Sequence, residues 1–285
     1  MSRVWYPLLD IPLDRLTDEH VADTLERANG PAAQHRAFAA LRAALNAAGP
    51  GQRPLRRHIQ FNPCDLVPLP EWEPRPVVIW APEELASFLA HVEHDPLGVL
   101  YRVLALCGLR RGEVIGLRWV DLDLDAGTLR VERQLVWRDR EVVAERPKTR
   151  KSRREVGLDA GTVEALRAAR RRQLQDRLLA GSAWQDHDLA FTRADGSPVP
   201  PWEVGNRFKE LCQAAGVPTI RLHDLRHTYV SLLDEAGVDV KVASELVGHS
   251  STRITEQVYQ HVRRARRTDA AARVAALLPG QVSAR

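Results

Sequence analysis

A histidine, an arginine and a tyrosine in the last third of the chain have side chains that could act together on a phosphate ester. His223 and Arg226 stand three residues apart in LHDLRHTYVSLL, and residues at that spacing share one face of a helix. An imidazole moves protons near neutral pH, and a guanidinium offers a rigid fork of donors that fits a phosphate. The phenol of Tyr259 is a candidate nucleophile if a base or a cationic pocket activates it, since its reference pKa is about 10.

Each of these residues also has an ordinary explanation. Surface or capping roles account for most HxxR pairs, and a single tyrosine is more often half-buried in a core. Their order along the chain adds weight to the chemical interpretation. His249 follows a predicted helix stop at Gly248, and Ser251 or Thr252 can cap a short helix that carries Tyr259. Successive helices therefore deliver four polar side chains, and their conjunction favours one shared site.

Two cations earlier in the chain extend the set. Arg110 follows the helix stop at Gly108 in GLRRGE, with Glu113 one helical turn further on. Lys148 lies in PKTRKSRR, on the connection between the second and third predicted strands. Read singly, Arg110 is an ordinary surface charge and Lys148 is one member of a basic run.

The elements that must position these residues are mainly helices. Pro82 suits the first turn of one helix, and glycines punctuate the helical pattern that runs from Gly161 to the C-terminus. Three short segments between them have the composition of strands: Thr128 to Val131, Glu141 to Ala144 and Arg154 to Leu158. The pattern predicts a mostly α-helical protein with one small antiparallel sheet.

The first part of the chain predicts a separate helical unit. Thr17 is a cap candidate for a helix that reaches about Ala28, and a second helix covers residues 32–48. Residues 62–78 contain five prolines and read as an extended linker. A chain of 285 residues has room for two such domains, each with its own core.

The charge distribution indicates a polyanionic partner. The net charge of +4 is modest, but residues 146–154 hold six cations without an acid, and residues 263–267 hold four more. Like-charged blocks of this density repel one another and gain stability mainly from a polyanion. A solvated, arginine-rich surface is the alternative explanation. The candidate DNA contacts in the first block are Arg146, Arg150, Lys151, Arg153 and Arg154.

Other site classes find little support in the sequence. Three cysteines, Cys64, Cys107 and Cys212, are scattered, so reduced thiols in the cytoplasm are expected and no zinc or redox pair is. Acids at residues 121, 123, 125 and 132 imitate a calcium loop, but Ala126 stands where that loop needs glycine, and no metal is expected. The sequence has no long uncharged apolar run and no secretory leader at Met1, so neither membrane insertion nor secretion is predicted.

The order of four motifs resembles the tyrosine recombinases, also called phage integrases. These motifs are GLRRGEVIGLRWVDLDL, PKT, LHDLRHTYVSLL and LVGHSSTRITEQVYQHV, and the resemblance covers roughly residues 60–262. It implies a tyrosine-recombinase catalytic domain at residues 79–262, preceded by a short, truncated helical core-binding domain that clamps DNA at residues 1–61. Residues 62–78 would be the linker and residues 263–285 a basic C-terminal helix and tail.

The same resemblance assigns roles to single residues. Arg110 and Arg226 match the catalytic arginines, Lys148 the β-hairpin lysine, His223 and His249 the two histidines, and Tyr259 the nucleophile. Glu113 matches an acid that braces the site. Arg110 is preferred to Arg111 only because the family places its arginine directly after Gly-Leu. The implied reaction forms a 3′-phosphotyrosine that keeps the bond energy for rejoining, so neither cofactor nor metal is required.

Partners and alternatives follow from the same resemblance. It implies double-stranded DNA as the substrate, a homotetramer on that DNA, accessory DNA-bending or directionality proteins, and a cytoplasmic location at the nucleoid. One alternative is a catalytically weak or silent DNA-binding remnant, which the short N-terminal region favours. Another is a type IB topoisomerase, which shares the tyrosine chemistry but matches the histidine of the HxxR pair less well.

Overall fold

The computed structural model describes residues 8–47, 61–73, 77–138, 141–146, 152–248, 251–253, 255–256 and 258–260. The chain divides into two compact units, residues 1–76 and residues 77–285. Each unit has its own hydrophobic core. No helix in the described ranges is both long and apolar enough to cross a bilayer.

The first unit is built on two helices, α1 (Asp18–Glu26) and α2 (Pro31–Ala47). Thr17 caps α1 as expected: its hydroxyl accepts a hydrogen bond from the His20 amide at 3.4 Å. The core of this unit joins α1 and α2 to Cys64, which lies in a 3₁₀ helix at Pro63–Leu66.

That 3₁₀ helix departs from the extended linker expected for residues 62–78. The Asn62 amide donates hydrogen bonds to the carbonyl of Arg42 and to the side chain of Asn46, at 3.3 and 2.9 Å. Asp65 pairs with Arg42, and Cys64 is buried. Pro63 therefore begins a local turn, and this part of the segment packs on its own helices, because Cys64 and its apolar neighbours supply core surface that the composition alone did not reveal.

The second unit contains seven helices that are described from end to end, with a β-rich insertion after the third, and further helical residues at 252–253, 255–256 and 258–260. The helices are α3 (Pro82–His91), α4 (Gly98–Cys107), α5 (Arg111–Ile115), α6 (Ala160–Ala180), α7 (Pro201–Ala214), α8 (Asp224–Glu235) and α9 (Val240–Val247). An aromatic cluster lies at the centre of their core, with Phe88 4.9 Å from Trp80 and 5.3 Å from Phe208 between ring centroids. The fold is therefore mostly helical, as the sequence predicts.

Within the described residues the strands form two antiparallel sheets, where the sequence predicts one. The first sheet has the order β1 (Leu122–Asp123), β2 (Thr128–Val131), β5 (Arg154–Gly157). A separate hairpin pairs β3 (Gln134–Arg138) with β4 (Glu141–Glu145). In the first sheet Val131 stands opposite Arg154, and Leu129 stands opposite Val156. Because Val131, Leu129 and Val156 are buried, this register turns the side chain of Arg154 toward the interior.

Two helices end in the left-handed glycine conformation that the sequence predicts. Gly108 follows α4 with φ +60°, and Gly248 follows α9 with φ +66°. Both positions are also crowded, because a Cβ at Gly108 would lie 2.4 Å from a ring carbon of Tyr229, and one at Gly248 would lie 3.0 Å from Arg154 Nη1. Glycine is thus required at both helix ends for backbone conformation and for space.

Candidate active site

Three successive carbonyl groups at the end of α9 each accept a hydrogen bond from a different arginine. Arg154 Nε donates to the Leu246 oxygen at 2.6 Å, Arg226 Nη2 donates to Val247, and Arg110 Nη2 donates to Gly248 at 2.9 Å. The last carbonyls of a helix lack intrahelical partners and carry partial negative charge. The end of α9 therefore gathers three guanidiniums within one helical turn.

Arg226 is the most deeply buried of the three. It belongs to the first turn of α8, its residue is only 2% exposed, and its Nη1 donates to the Gly108 carbonyl at 2.6 Å. Arg226 thus links the C-terminal ends of α4 and α9. Burial, and then the nearby Arg110 and Arg154, lowers the pKa of Arg226 to about 9, which leaves it protonated at neutral pH. A buried cation beside two others favours an anionic ligand, since an anion offsets both desolvation and mutual repulsion.

A buried carboxylate, Glu113, lies between the other two arginines. Arg110 Nη1 reaches Glu113 Oε1 at 2.7 Å, and Arg154 Nη2 reaches Oε2 at 3.0 Å. Burial alone would raise the pKa of Glu113, but hydrogen bonding and charge from Arg154, followed by Arg110, outweigh it and lower that pKa. Three cations therefore surround one carboxylate, and the cluster keeps an excess of positive charge.

His223 lies at the N-terminal boundary of α8 beside this cluster. It remains open to solvent, and its ring centroid is 5.2 Å from that of His227 at an interplanar angle of 88°. Desolvation by the surrounding protein, followed by the positive fields of His227 and Arg226, lowers the pKa of His223 to about 4. The imidazole is therefore neutral at pH 7 and able to accept a proton.

The hydroxyl of Tyr259 is bound near the start of α9, whereas the three arginines bind carbonyls at its end. The tyrosine side chain is buried against Val230, Ala243 and Val247, and its hydroxyl donates to the Val238 carbonyl at 3.2 Å. Val238 precedes α9, whereas the arginines bind the opposite end of that helix. The helix has eight residues, so its two ends are about 12 Å apart at 1.5 Å per residue. A cavity of about 420 Å³ borders the Tyr259 side chain, with acids at residues 234, 239 and 256 in its wall.

The structure brings together some of the residues that the sequence singled out. Arg110, Glu113, His223 and Arg226 meet at the end of α9, and Arg111 instead donates to the Pro201 carbonyl at 3.3 Å. Tyr259 does not join them in this conformation. Of the basic run, Arg146 and Arg153 are exposed. Four candidates lie outside the described residues: Lys148, Arg150, Lys151 and His249.

Arg154 differs from the surface DNA contact expected for it. Its side chain is 6% exposed, and Glu113, Ser152 and Leu246 accept its hydrogen bonds. A signal for this was present in the sequence: alternate residues of a strand share one face, so Arg154 lies on the side of apolar Val156 and Arg153 on the other. This alternation was not used in the prediction, because the many charges of the basic run favoured an exposed surface.

The acids that imitate a calcium loop have structural roles. Asp121 is buried and pairs with Arg118 at 2.7 Å. Asp123 accepts hydrogen bonds from the backbone amides of Asp125 and Ala126, at 3.2 and 2.8 Å, and so closes the turn between β1 and β2. These contacts account for Asp121 and Asp123 of the acidic pattern.

Comparison with known sequences gives consistent matches. The family model described as the phage integrase family matches residues 81–266. A tyrosine recombinase XerC-like protein of Caldanaerobacter subterraneus is 32% identical over 200 residues, which cover 66% of this chain and 51% of that protein. An integrase of Streptomyces ambofaciens is 33% identical over 213 residues, covering 72% of this chain and 55% of the relative. The chain thus spans about half the length of these curated relatives.

Comparison with solved structures gives the same fold. The Tn1549 transposon integrase in complex with transposon right-end DNA superposes with a TM-score of 0.70 at 21% identity, over 92% of this chain and 87% of that one. The XerH site-specific recombinase bound to its difH substrate gives a TM-score of 0.60 at 20% identity, over 91% and 70% of the two chains. At these identities the likeness establishes the fold.

Proposed function

Because the chain belongs to the phage integrase family, we propose that it is a site-specific DNA recombinase that cuts and rejoins DNA through a 3′-phosphotyrosine at Tyr259. The observation that carries this proposal is the cluster at the end of α9, where Arg110 and Arg226 lie beside a neutral His223. The proposed substrate is a duplex with a specific sequence, and neither metal nor cofactor takes part.

The arginine cluster suits a phosphodiester. A phosphodiester resists nucleophilic attack because it is anionic, and charge grows on its non-bridging oxygens during the reaction. A guanidinium has five N–H groups, and Arg226 donates one to the Gly108 carbonyl and one to the Val247 carbonyl. The carbonyls fix the position of its fork, and further N–H groups can bind phosphate oxygens. Arg110, which is about one-third exposed at 35%, would reach the same phosphate from the open side.

The remaining roles follow from family membership. Tyr259 would attack phosphorus, His223 would take the phenolic proton while neutral, and Lys148 would protonate the leaving 5′-oxygen. His249 would hydrogen-bond the phosphate. Reversal of the attack by a free 5′-hydroxyl would rejoin the strands without an external energy source, because the phosphotyrosine keeps the bond energy.

Cleavage requires Tyr259 to leave its position on the Val238 carbonyl. Release would cost about 1 kcal/mol for this hydrogen bond and about 1.5–3 kcal/mol more for exposing the buried ring, and the free energy of DNA binding would supply both. The conformation described here is therefore proposed to be a resting state, in which the nucleophile is kept from the arginines until DNA occupies the site.

The proposed partners are duplex DNA, further copies of this chain and accessory proteins. The helical core-binding domain expected at residues 1–61 would clamp duplex DNA, and the exposed Arg146 and Arg153 would contact the DNA backbone. Strand exchange at two sites requires several active subunits, and we propose a homotetramer on DNA, with accessory DNA-bending or directionality proteins. Such an enzyme would act on the nucleoid in the cytoplasm.

A covalent-adduct assay tests the proposal. The protein is incubated with nicked suicide duplexes tiled across the genomic sequence that flanks its own coding region, and adducts are resolved on denaturing gels. We expect a protease-sensitive adduct with one duplex, lost in Tyr259→Phe while DNA binding persists. Binding without an adduct would indicate a silent DNA-binding protein, and relaxation of supercoils without site preference would indicate a topoisomerase.

A further inference from the structure

The guanidinium of Arg154 is committed to protein acceptors on three sides. Its Nε donates to the Leu246 carbonyl at 2.6 Å, and Nη1 donates to the Ser152 carbonyl at 3.1 Å. The Nη1 and Nη2 groups also bind the two oxygens of Glu113, at 3.3 and 3.0 Å. Arg154 thus donates four hydrogen bonds to protein acceptors, whereas Arg226 donates two, so of the five N–H groups of a guanidinium Arg154 keeps far fewer for a DNA phosphate.

These contacts join three parts of the candidate site. Glu113 directs Arg110, Ser152 lies four residues after Lys148 in the chain, and Leu246 lies three residues before His249. From this geometry we infer that Arg154 is a positioning residue of the cleavage site, which fixes Glu113 and the end of α9 and does not contact DNA. The inference rests on the function proposed above.

The electrostatic effect of Arg154 on Arg110 follows from their shared partner. Glu113 divides its negative charge between Arg154 and Arg110. Without Arg154, the whole carboxylate would attract Arg110, because no other described arginine pairs with Glu113. Arg110 would then be drawn inward, away from a phosphate on its open side. The end of α9 would also be held less firmly, because Arg154 packs directly against it. A Cβ at Gly248 would lie 3.0 Å from Arg154 Nη1.

A comparison of variants separates positioning from DNA contact. Arg154→Gln is expected to slow single-turnover cleavage at saturating DNA about 100-fold, the loss typical of a catalytic group misplaced by about 1 Å. Its salt dependence of DNA binding should match that of the wild type. Arg153→Gln, an exposed neighbour, is expected instead to weaken DNA binding and to reduce the slope of log affinity against log salt by about 0.9.

Two further measurements distinguish positioning from lost stability. Arg207→Gln breaks an ion pair with the largely buried Asp95 in the same unit, at 2.7 Å, and so serves as a matched control for a lost arginine–carboxylate pair. We expect it to lower the melting temperature without slowing cleavage. The acidic limb of the pH–rate profile should move to higher pH in Arg154→Gln only, because Arg154 is the main cause of the lowered pKa of Glu113 among its hydrogen-bonding partners.

Defined results would overturn the inference. If Arg154→Gln cleaves at the wild-type rate, Arg154 is dispensable. If its DNA binding loses salt dependence as that of Arg153→Gln does, Arg154 is a DNA contact. If Arg154→Gln does not fold, Arg154→Lys is measured in the same way; an ammonium cannot reproduce a fork that binds three partners, so cleavage at the wild-type rate would contradict the inference. Absence of an adduct in the wild type would instead refute the proposed function itself.

Discussion

Glu113 holds Arg110 by both its backbone and its side chain: Oε2 accepts from the Arg110 amide at 2.8 Å, and Oε1 accepts from Nη1 at 2.7 Å. One carboxylate therefore fixes the start of α5 and the direction of the arginine at that start. Because Arg154 binds the same two oxygens from the other side, Glu113 is the residue through which backbone geometry and charge in the cluster are linked.

Removal of the Glu113 charge should be costly to stability. Glu113→Gln leaves the buried Arg154 without its counter-ion, and loss of one partner of a buried pair costs about 3–5 kcal/mol of unfolding free energy. Urea denaturation should show a lower midpoint with an unchanged slope, and Glu113→Asp should lose less because it keeps the charge. Equal midpoints for Glu113→Gln and the wild type would contradict the ion-pair geometry.

The titration of His223 is expected to depend on whether the site is occupied. Its pKa of about 4 in the free protein lies below the unfolded value of about 6.5, so the unfolded state binds more protons between these pH values. The contribution of His223 to stability is thus complete above pH 6.5 and is lost as the pH falls toward 4. Proton NMR should show a low pKa in the free protein and a higher one with DNA, since a phosphate stabilises the imidazolium; no change on binding would place the phosphate elsewhere.

The glycine at the end of α9 can be tested against a glycine of similar conformation. Gly248→Ala and Gly216→Ala both place alanine at positive φ, +66° and +68°, at an expected cost of about 1–2 kcal/mol each. Only at Gly248 does the new Cβ meet Arg154. Gly248→Ala should therefore lose more stability than Gly216→Ala and should also slow cleavage, whereas Gly216→Ala should cleave normally. Identical behaviour of the two variants would show that Arg154 adapts freely.

The docked position of Tyr259 predicts a small change in stability alongside a complete loss of chemistry. Tyr259→Phe removes the hydrogen bond to the Val238 carbonyl but keeps the ring in its apolar cluster, so unfolding free energy should fall by about 1 kcal/mol or less. Thermal denaturation measures this difference. A loss of several kcal/mol would mean that the hydroxyl stabilises the resting fold far more than the hydrogen bond to Val238 implies.

Local chemistry made several helix boundaries predictable from the sequence. Thr17, Gly108 and Gly248 act at the ends expected of them, because capping depends on side chains and conformations within a few residues. The strand β2 was found in the same way from its β-branched and apolar content. By contrast, β1 has only two residues, and β3 was not predicted, although Leu135, Val136 and Trp137 give it the composition of a strand.

The site was predictable in composition but less so in arrangement. The spacing of His223 and Arg226 and the position of Arg110 predict a cationic site, and these residues meet as expected. That the partners of the arginines are main-chain carbonyls could not be read from residue types. The inward direction of Arg154 depends on a strand register with Val131, and the place of Tyr259 depends on tertiary packing, so neither follows from local sequence.

Each of the three arginines is bound to a main-chain carbonyl at the end of α9, so the backbone sets the distances between their guanidiniums. The backbone conformation sets the intervals between these oxygens, two of them in the helix and the third at the left-handed Gly248, so substitutions at Leu246 or Val247 that preserve packing leave this arrangement intact. Evolution can therefore vary the residues of this helix widely while the reach of each cation stays constant, and a lengthening or shortening of α9 by a single residue would disturb the cluster more than most replacements within it.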